Sequence, residues 1–188
     1  MRTNLVSLVL GNRGTGKTHF IIELLIKVYL KSNPDKKILI IDTLDHPSYK
    51  IIANLNIEDL KAWRKPSVYR IYGSNTGEII EAVQQNVSNA LIIFEDASKY
   101  VSKLMHSHVR TMIFDSKQKN NDLVFLFHGF MATPPELFRI SDTITLFKTG
   151  DHPKCRKNDM VNYNEIVKTY ELITADKNKY ANSTIQIY

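Results

Sequence analysis

Leu5-Val6-Ser7-Leu8-Val9-Leu10-Gly11-Asn12-Arg13-Gly14-Thr15-Gly16-Lys17-Thr18 is the stretch that decides the fold. An apolar run, residues 5–10, reads as a buried strand. It passes directly into Gly11, Gly16, Lys17 and Thr18, which meet the spacing G-x-x-x-x-G-K-T, and a helical pattern over residues 18–31 follows at once. Strand, glycine-rich loop and helix in that order are the context this spacing needs. Glycines permit the backbone angles that turn several N–H groups toward one phosphate. The helix N-terminus adds its positive dipole end. Lys17 supplies a point charge for the β- and γ-phosphates, and Thr18 a hydroxyl for Mg²⁺. Gly11, Asn12, Arg13, Gly14, Thr15, Gly16, Lys17 and Thr18 are therefore the expected nucleotide contacts, with ATP and Mg²⁺ as cofactors. Asn12 stands where the variant loop of partitioning-type ATPases wants a lysine.

Outward from the loop, short apolar runs alternate with helical patterns, as in an α/β sheet protein. Strands are expected at 37–42, 68–72, 90–94, 123–127 and 143–148. Helices are expected at 18–31, apolar nearly all round and so largely buried, at 76–87 and at 98–117. A further helix should start with Thr133 as its cap and Pro134 at its first position. The fold class is α/β: a P-loop NTPase of RecA/ASCE type, a mainly parallel sheet flanked by helices in a three-layer sandwich. Residues 1–150 read as the P-loop core. Residues 151–188 read as a C-terminal appendage with one helix, carrying Tyr163, Ile166, Val167, Tyr170 and Ile173, within the same domain.

The 188 residues carry 25 Lys and Arg against 19 Asp and Glu, a net charge of +6. That balance favours a polyanionic partner. Cys155 is the one cysteine, so no internal disulfide can form, and a reducing, cytoplasmic setting is expected. His152 lies near it, but no second pair completes a metal site. The longest apolar run, 20–30, contains Glu23 and Lys27 and falls far short of the about 20 clean residues that span a bilayer, so no membrane span is expected.

A P-loop enzyme also needs a carboxylate on a neighbouring strand to hold Mg²⁺, and a hydrolase needs one to orient and deprotonate water. Ala90-Leu91-Ile92-Ile93-Phe94 ends in Glu95-Asp96. Glu95 is assigned to the metal and Asp96 to the water. Asp42, at the end of the second strand, is the competing acid. The strand 123–127 ends in His128, which can donate a hydrogen bond to a γ-phosphate.

In this order (P-loop, hydrophobic strand ending in two acids and Ala97, a helix with basic residues, a buried strand ending in a polar sensor) the chain resembles the FtsK–HerA superfamily of DNA-pumping ATPases. It is similar to the genome-packaging ATPases of icosahedral viruses and to zonula occludens toxin-like phage assembly ATPases. The resemblance covers residues 5–150. It implies double-stranded DNA as the polymer moved, a homo-oligomeric ring of five or six subunits, and a location in the cytoplasm or on the virion. It also implies a cation reaching the γ-phosphate from a neighbouring subunit. Lys117, with Arg110 earlier on the same expected helix, stands nearest that position. The chain departs from the family pattern in three places: the acids are Glu then Asp, the sensor is His rather than Gln, and Lys117 stands nearest the position of the family's arginine finger. Lys99, Lys103, Arg110, Lys117 and Lys119 form the expected basic face for nucleic acid. The alternatives are a small-molecule kinase, with 44–65 as its lid, and a nucleotide-dependent switch with slow hydrolysis.

Overall fold

A computed structural model describes residues 4–42, 44–101 and 107–188. Seven strands form one sheet in the order β3-β2-β4-β5-β1-β6-β7. They are β1 (Val6–Leu10), β2 (Lys37–Ile41), β3 (Val68–Ile71), β4 (Ala90–Phe94), β5 (Asp122–Phe127), β6 (Thr143–Leu146) and β7 (Ser183–Gln186). Every pairing is parallel except that of β7 with β6. β2 and β4 are buried at every position, as the unbroken apolar runs require of strands covered on both faces.

The helix after the loop runs over 17–32 and is called α1. Its middle, Phe20–Ile26, has the wider π pitch. It stops at Asn33, whose side-chain amide donates to the Tyr29 carbonyl, with Pro34 barring continuation. Contrary to the expectation of burial all round, α1 hides one stripe. Ile21 and Ile26 are buried, while Leu24 and Val28 are about half exposed. The helix lies on one face of the sheet against Val9, Ile38, Ile40, Leu91, Ile93, Val124 and Leu126, so its opposite side faces away from the sheet.

On the other face lie α2 (Thr76–Asn86), α3 (Ser107–Asp115), α4 (Pro135–Ile140) and α5 (Tyr163–Ala175). The three-layer sandwich follows from strand alternation: Leu8 and Leu10 point to this second cluster, Val9 to the first. Asn75 starts α2 by accepting from the Glu78 N–H and donating to its carboxylate. Phe94 and Phe125 stack at 4.4 Å between centroids in the middle of the sheet.

Three expectations are corrected. The single helix over 98–117 is not formed. Asp96 takes a left-handed φ of 47°, a 3-10 turn covers Ala97–Lys99, and α3 is described over Ser107–Asp115. Lys103, Leu104, Met105 and His106 of that expected helix lie outside the described residues. Thr133 is not the cap of α4. It is fully buried with its hydroxyl donating to the Gly129 carbonyl, and Pro134 takes the cap position with Pro135 as first helical residue. The tail also holds more than one helix. After α5 it returns as β7, with Ile185 opposite Ile144, and closes the β6 edge of the sheet.

Candidate nucleotide site

Because β1, β4, β5 and β6 are parallel, their carboxyl ends share one rim. β5 lies between β1 and β4. That order sets His128, after β5, between the loop after β1 and the two acids after β4. Ligands of open parallel sheets bind at this rim.

The loop is held at its base by neighbouring strand ends. Gly11 N–H donates to Phe127 O and Asn12 N–H to Lys148 O. A Cβ at Gly11 would lie 2.5 Å from the Cβ of Phe147, so only glycine passes there. Gly14 and Gly16 have φ of 76° and 97°, the left-handed angles that turn the loop around a central hollow. Thr15 Oγ1 donates back to Asn12 O at 2.8 Å. Lys17, buried, donates its Nζ to Gly11 O at 2.6 Å and Asn12 O at 3.0 Å, across the mouth of the hollow. Burial lowers its pKa, and the charges of Glu95 and Asp96 oppose that shift.

The acids face it. Glu95 Oε2 accepts from Tyr49 Oη at 2.6 Å. Burial raises the Glu95 pKa, while the Tyr49 bond and Lys17 hold it down. Asp96 Oδ1 accepts from Ser98 Oγ at 2.6 Å and lies 3.6 Å from His128 Nε2. The His128 pKa is lowered by burial and by Lys17, against the pull of Asp96. The ring is thus neutral at pH 7 and has one N–H to donate.

Arg13, Gly14, Gly16, Lys17, Thr18, Glu95, Asp96 and His128 line a single cleft of about 610 Å³, joined by His19, Leu44, His46 and Tyr180. Asp42 is not in the lining. It is fully buried and accepts from Arg70, from His46 N–H and from Leu44 N–H, which fixes the start of the β2–β3 connection. Arg110 and Lys117 are not in the lining either. Arg110 pairs with Glu136 at 2.8 Å on an exposed surface. Among the described residues no group of three or more His, Cys, Asp or Glu could hold a metal by itself. Mg²⁺ does not need one, because it keeps waters and takes one or two protein ligands beside the phosphates. Thr18 and Glu95, which line the same cleft, fit that minimal set.

Sequence reasoning missed Tyr49, His46 and Tyr180. Tyr49 is a wholly buried aromatic in a stretch of mixed composition, and no periodic pattern marks it. Tyr180 comes from the tail and packs over Gly16, where a Cβ would meet its ring at 3.1 Å. It divides the cleft from a neighbouring apolar one of about 780 Å³, lined by Phe20, Phe147, Leu24, Asn182 and Tyr180 itself.

No protein-family model matches the chain, and no curated protein matches it. Solved structures do. The chain superimposes on the genome packaging NTPase B204 from Sulfolobus turreted icosahedral virus 2 in complex with ATP-gammaS, with a TM-score of 0.74 and 15% identity over 100% of this chain and 94% of that one. The AMPPCP complex of B204 gives 0.76 and 14% over the same shares. B204 described as the DNA-packaging ATPase from Sulfolobus Turreted Icosahedral Virus gives 0.75 and 14%, again over 100% and 94%. At that identity the likeness speaks for architecture, and the chain has the α/β P-loop NTPase fold that B204 has.

Proposed function

We propose that this chain is an ATP-hydrolysing motor that translocates or packages double-stranded DNA, acting as a homo-oligomeric ring. The observation that carries the reading is the convergence of the glycine loop, Lys17, Thr18, Glu95, Asp96 and His128 on one cleft in a fold that matches a DNA-packaging ATPase along the whole chain.

The loop N–H groups and Lys17 bind the β- and γ-phosphates, Lys17 exchanging its two loop carbonyls for phosphate oxygens. Thr18 and Glu95 would hold the Mg²⁺ of the nucleotide. When bound, the ion neutralises charge on the β- and γ-oxygens. Asp96 accepts a proton from the water that attacks the γ-phosphorus. The bond to the β–γ bridging oxygen breaks, giving ADP and phosphate. His128 donates to a γ-phosphate oxygen and, through its contact with Asp96, links that phosphate to the base. The half-exposed Tyr180 ring, with Phe20 and Leu24 beside it, offers apolar surface for the nucleobase.

The trans cation remains Arg110 or Lys117. Neither lines its own cleft, so either can act only from a neighbouring subunit. The same observation favours the second reading, a slowly hydrolysing switch, should the chain stay monomeric. The deciding experiment is the ATPase rate with and without double-stranded DNA, beside native mass. Stimulation by DNA in an oligomer is expected. A monomer whose slow rate ignores DNA would transfer the proposal to the switch.

A further inference from the structure

The β2–β3 connection brings into the site a side chain that the phosphate-loop pattern does not contain. Asp42 pins the start of the connection by accepting from His46 N–H and from Arg70. Arg70 also pairs with Asp45 at 2.8 Å. His46 Nδ1 then accepts from Ser48 N–H and caps the short turn Pro47–Tyr49. The turn drives the Tyr49 ring into the core under α1, where it is fully buried and packs 5.7 Å from the His46 ring. Its hydroxyl emerges at the carboxylate that the P-loop reading gives to the metal. It donates to Glu95 Oε2 at 2.6 Å, with the Thr18 side chain close by.

We infer that Tyr49 is a positioning residue for the divalent cation of the nucleotide: its phenol hydroxyl orients Glu95, the carboxylate that meets the ion beside Thr18. This rests on the nucleotide-site reading above. The chemistry favours it. A buried carboxylate with no donor turns freely and is costly to keep charged. A phenol fixed on one carboxylate oxygen leaves the other for metal-bound water. A ligand held before the ion arrives loses less freedom when it binds. Outer partners of this kind commonly tune metal affinity by 10- to 100-fold. A purely packing role would need the ring but not the hydroxyl, so the two roles separate at a single atom.

Tyr49→Phe removes that atom and keeps the ring. Affinity for ATPγS is measured by calorimetry with MgCl₂ and again in EDTA, for the parent, for Tyr49→Phe, for Glu95→Gln and for the double variant. In the parent, Mg²⁺ should tighten binding. In Tyr49→Phe that Mg²⁺-dependent gain should shrink by roughly 10-fold, while affinity in EDTA stays within about twofold of the parent. On top of Glu95→Gln, the second substitution should cost little more, because both act on the same ligand. Equal Mg²⁺ gains in parent and Tyr49→Phe, or an equal loss with and without the ion, would overturn the inference and leave the nucleotide site standing. Additive losses in the double variant would overturn it too. A parent that binds no ATPγS under either condition would instead bring down the nucleotide site itself. If Tyr49→Phe melts far below the parent, Tyr49→Met supplies the same test with a flexible apolar filler.

Discussion

Lys17 is the residue on which binding turns. Its ammonium sits buried on two carbonyls of its own loop, with Glu95 and Asp96 as the nearby negative charges. The position is thus preset for an anion that can replace the carbonyls. Lys17→Ala should weaken Mg·ATP binding by about 10- to 100-fold, the worth of a charge-assisted contact. Calorimetry showing unchanged affinity would refute the nucleotide-site assignment. Asp96 has a different task. Its left-handed backbone and the bond it accepts from Ser98 hold its carboxylate in the cleft lining beside His128. Asp96→Asn should keep ATP binding and lower turnover by roughly 10²- to 10⁴-fold. An Asn variant at parental rate, with Asp42→Asn inactive, would reverse the choice of acid.

Among the elements, the loop after β5 depends most on the tail. Asp151 accepts from the N–H of Phe130 at 3.1 Å and of Met131 at 2.6 Å. Arg156 donates to the carbonyls of the same two residues. Gly129 has no room for a Cβ, which would lie 2.4 Å from Asp151 Oδ1. The segment that follows His128 is therefore clamped from beyond residue 150. Asp151→Ala should destabilise the chain by about 1–3 kcal/mol, since it leaves two N–H groups without their acceptor. It should also lower turnover more than nucleotide affinity, because His128 loses its support while the P-loop does not. Denaturant unfolding and a kcat-against-KM comparison check both parts. A normal kcat in a destabilised variant would show the clamp to be structural only.

At the scale of the whole molecule, the basic residues do not form the single helical face expected from sequence. Lys99 lies in a 3-10 turn, Arg110 on α3 paired with Glu136, and Lys119 donates to the Gln84 carbonyl. Any grip on DNA by these residues therefore has to come from cations spread over several elements. Such binding is mainly to phosphates, indifferent to sequence and strongly salt-dependent. A titration should give affinity falling linearly with salt on logarithmic axes. No binding at low salt with nucleotide present would count decisively against a DNA motor. The ring has its own test. A trans cation can be worth 10³–10⁵ in rate. Mixing Lys17→Ala chains with chains lacking Arg110, Lys117 and Lys119 should therefore restore part of the activity through mixed interfaces. A monomeric mass during turnover, with constant activity per chain on dilution, would exclude the ring.

The phosphate loop was legible from residues 5–18 alone, because its chemistry is backbone chemistry: glycine angles, a following helix and one lysine are all local in sequence. The α/β class was legible for a similar reason, since strands buried on both faces leave unbroken apolar runs such as those at β2 and β4. Glu95, Asp96 and His128 could be nominated because each ends such a run. Their convergence with the loop was decided by the strand order, which sets β5 between β1 and β4. What stayed hidden was held by non-local contacts. The left-handed turn at Asp96 leads into a 3-10 turn where local periodicity predicts the start of a helix, β7 pairs with the distant β6, and Asp42 is tied to an arginine 28 residues away. Tyr49 is the plainest case. A tyrosine in an irregular loop carries no pattern of its own, and only the packing of that loop beneath α1 puts its hydroxyl on Glu95. Local sequence sets backbone angles and apolar periods, whereas pairings between distant segments are settled by which buried polar groups find partners when the sheet closes.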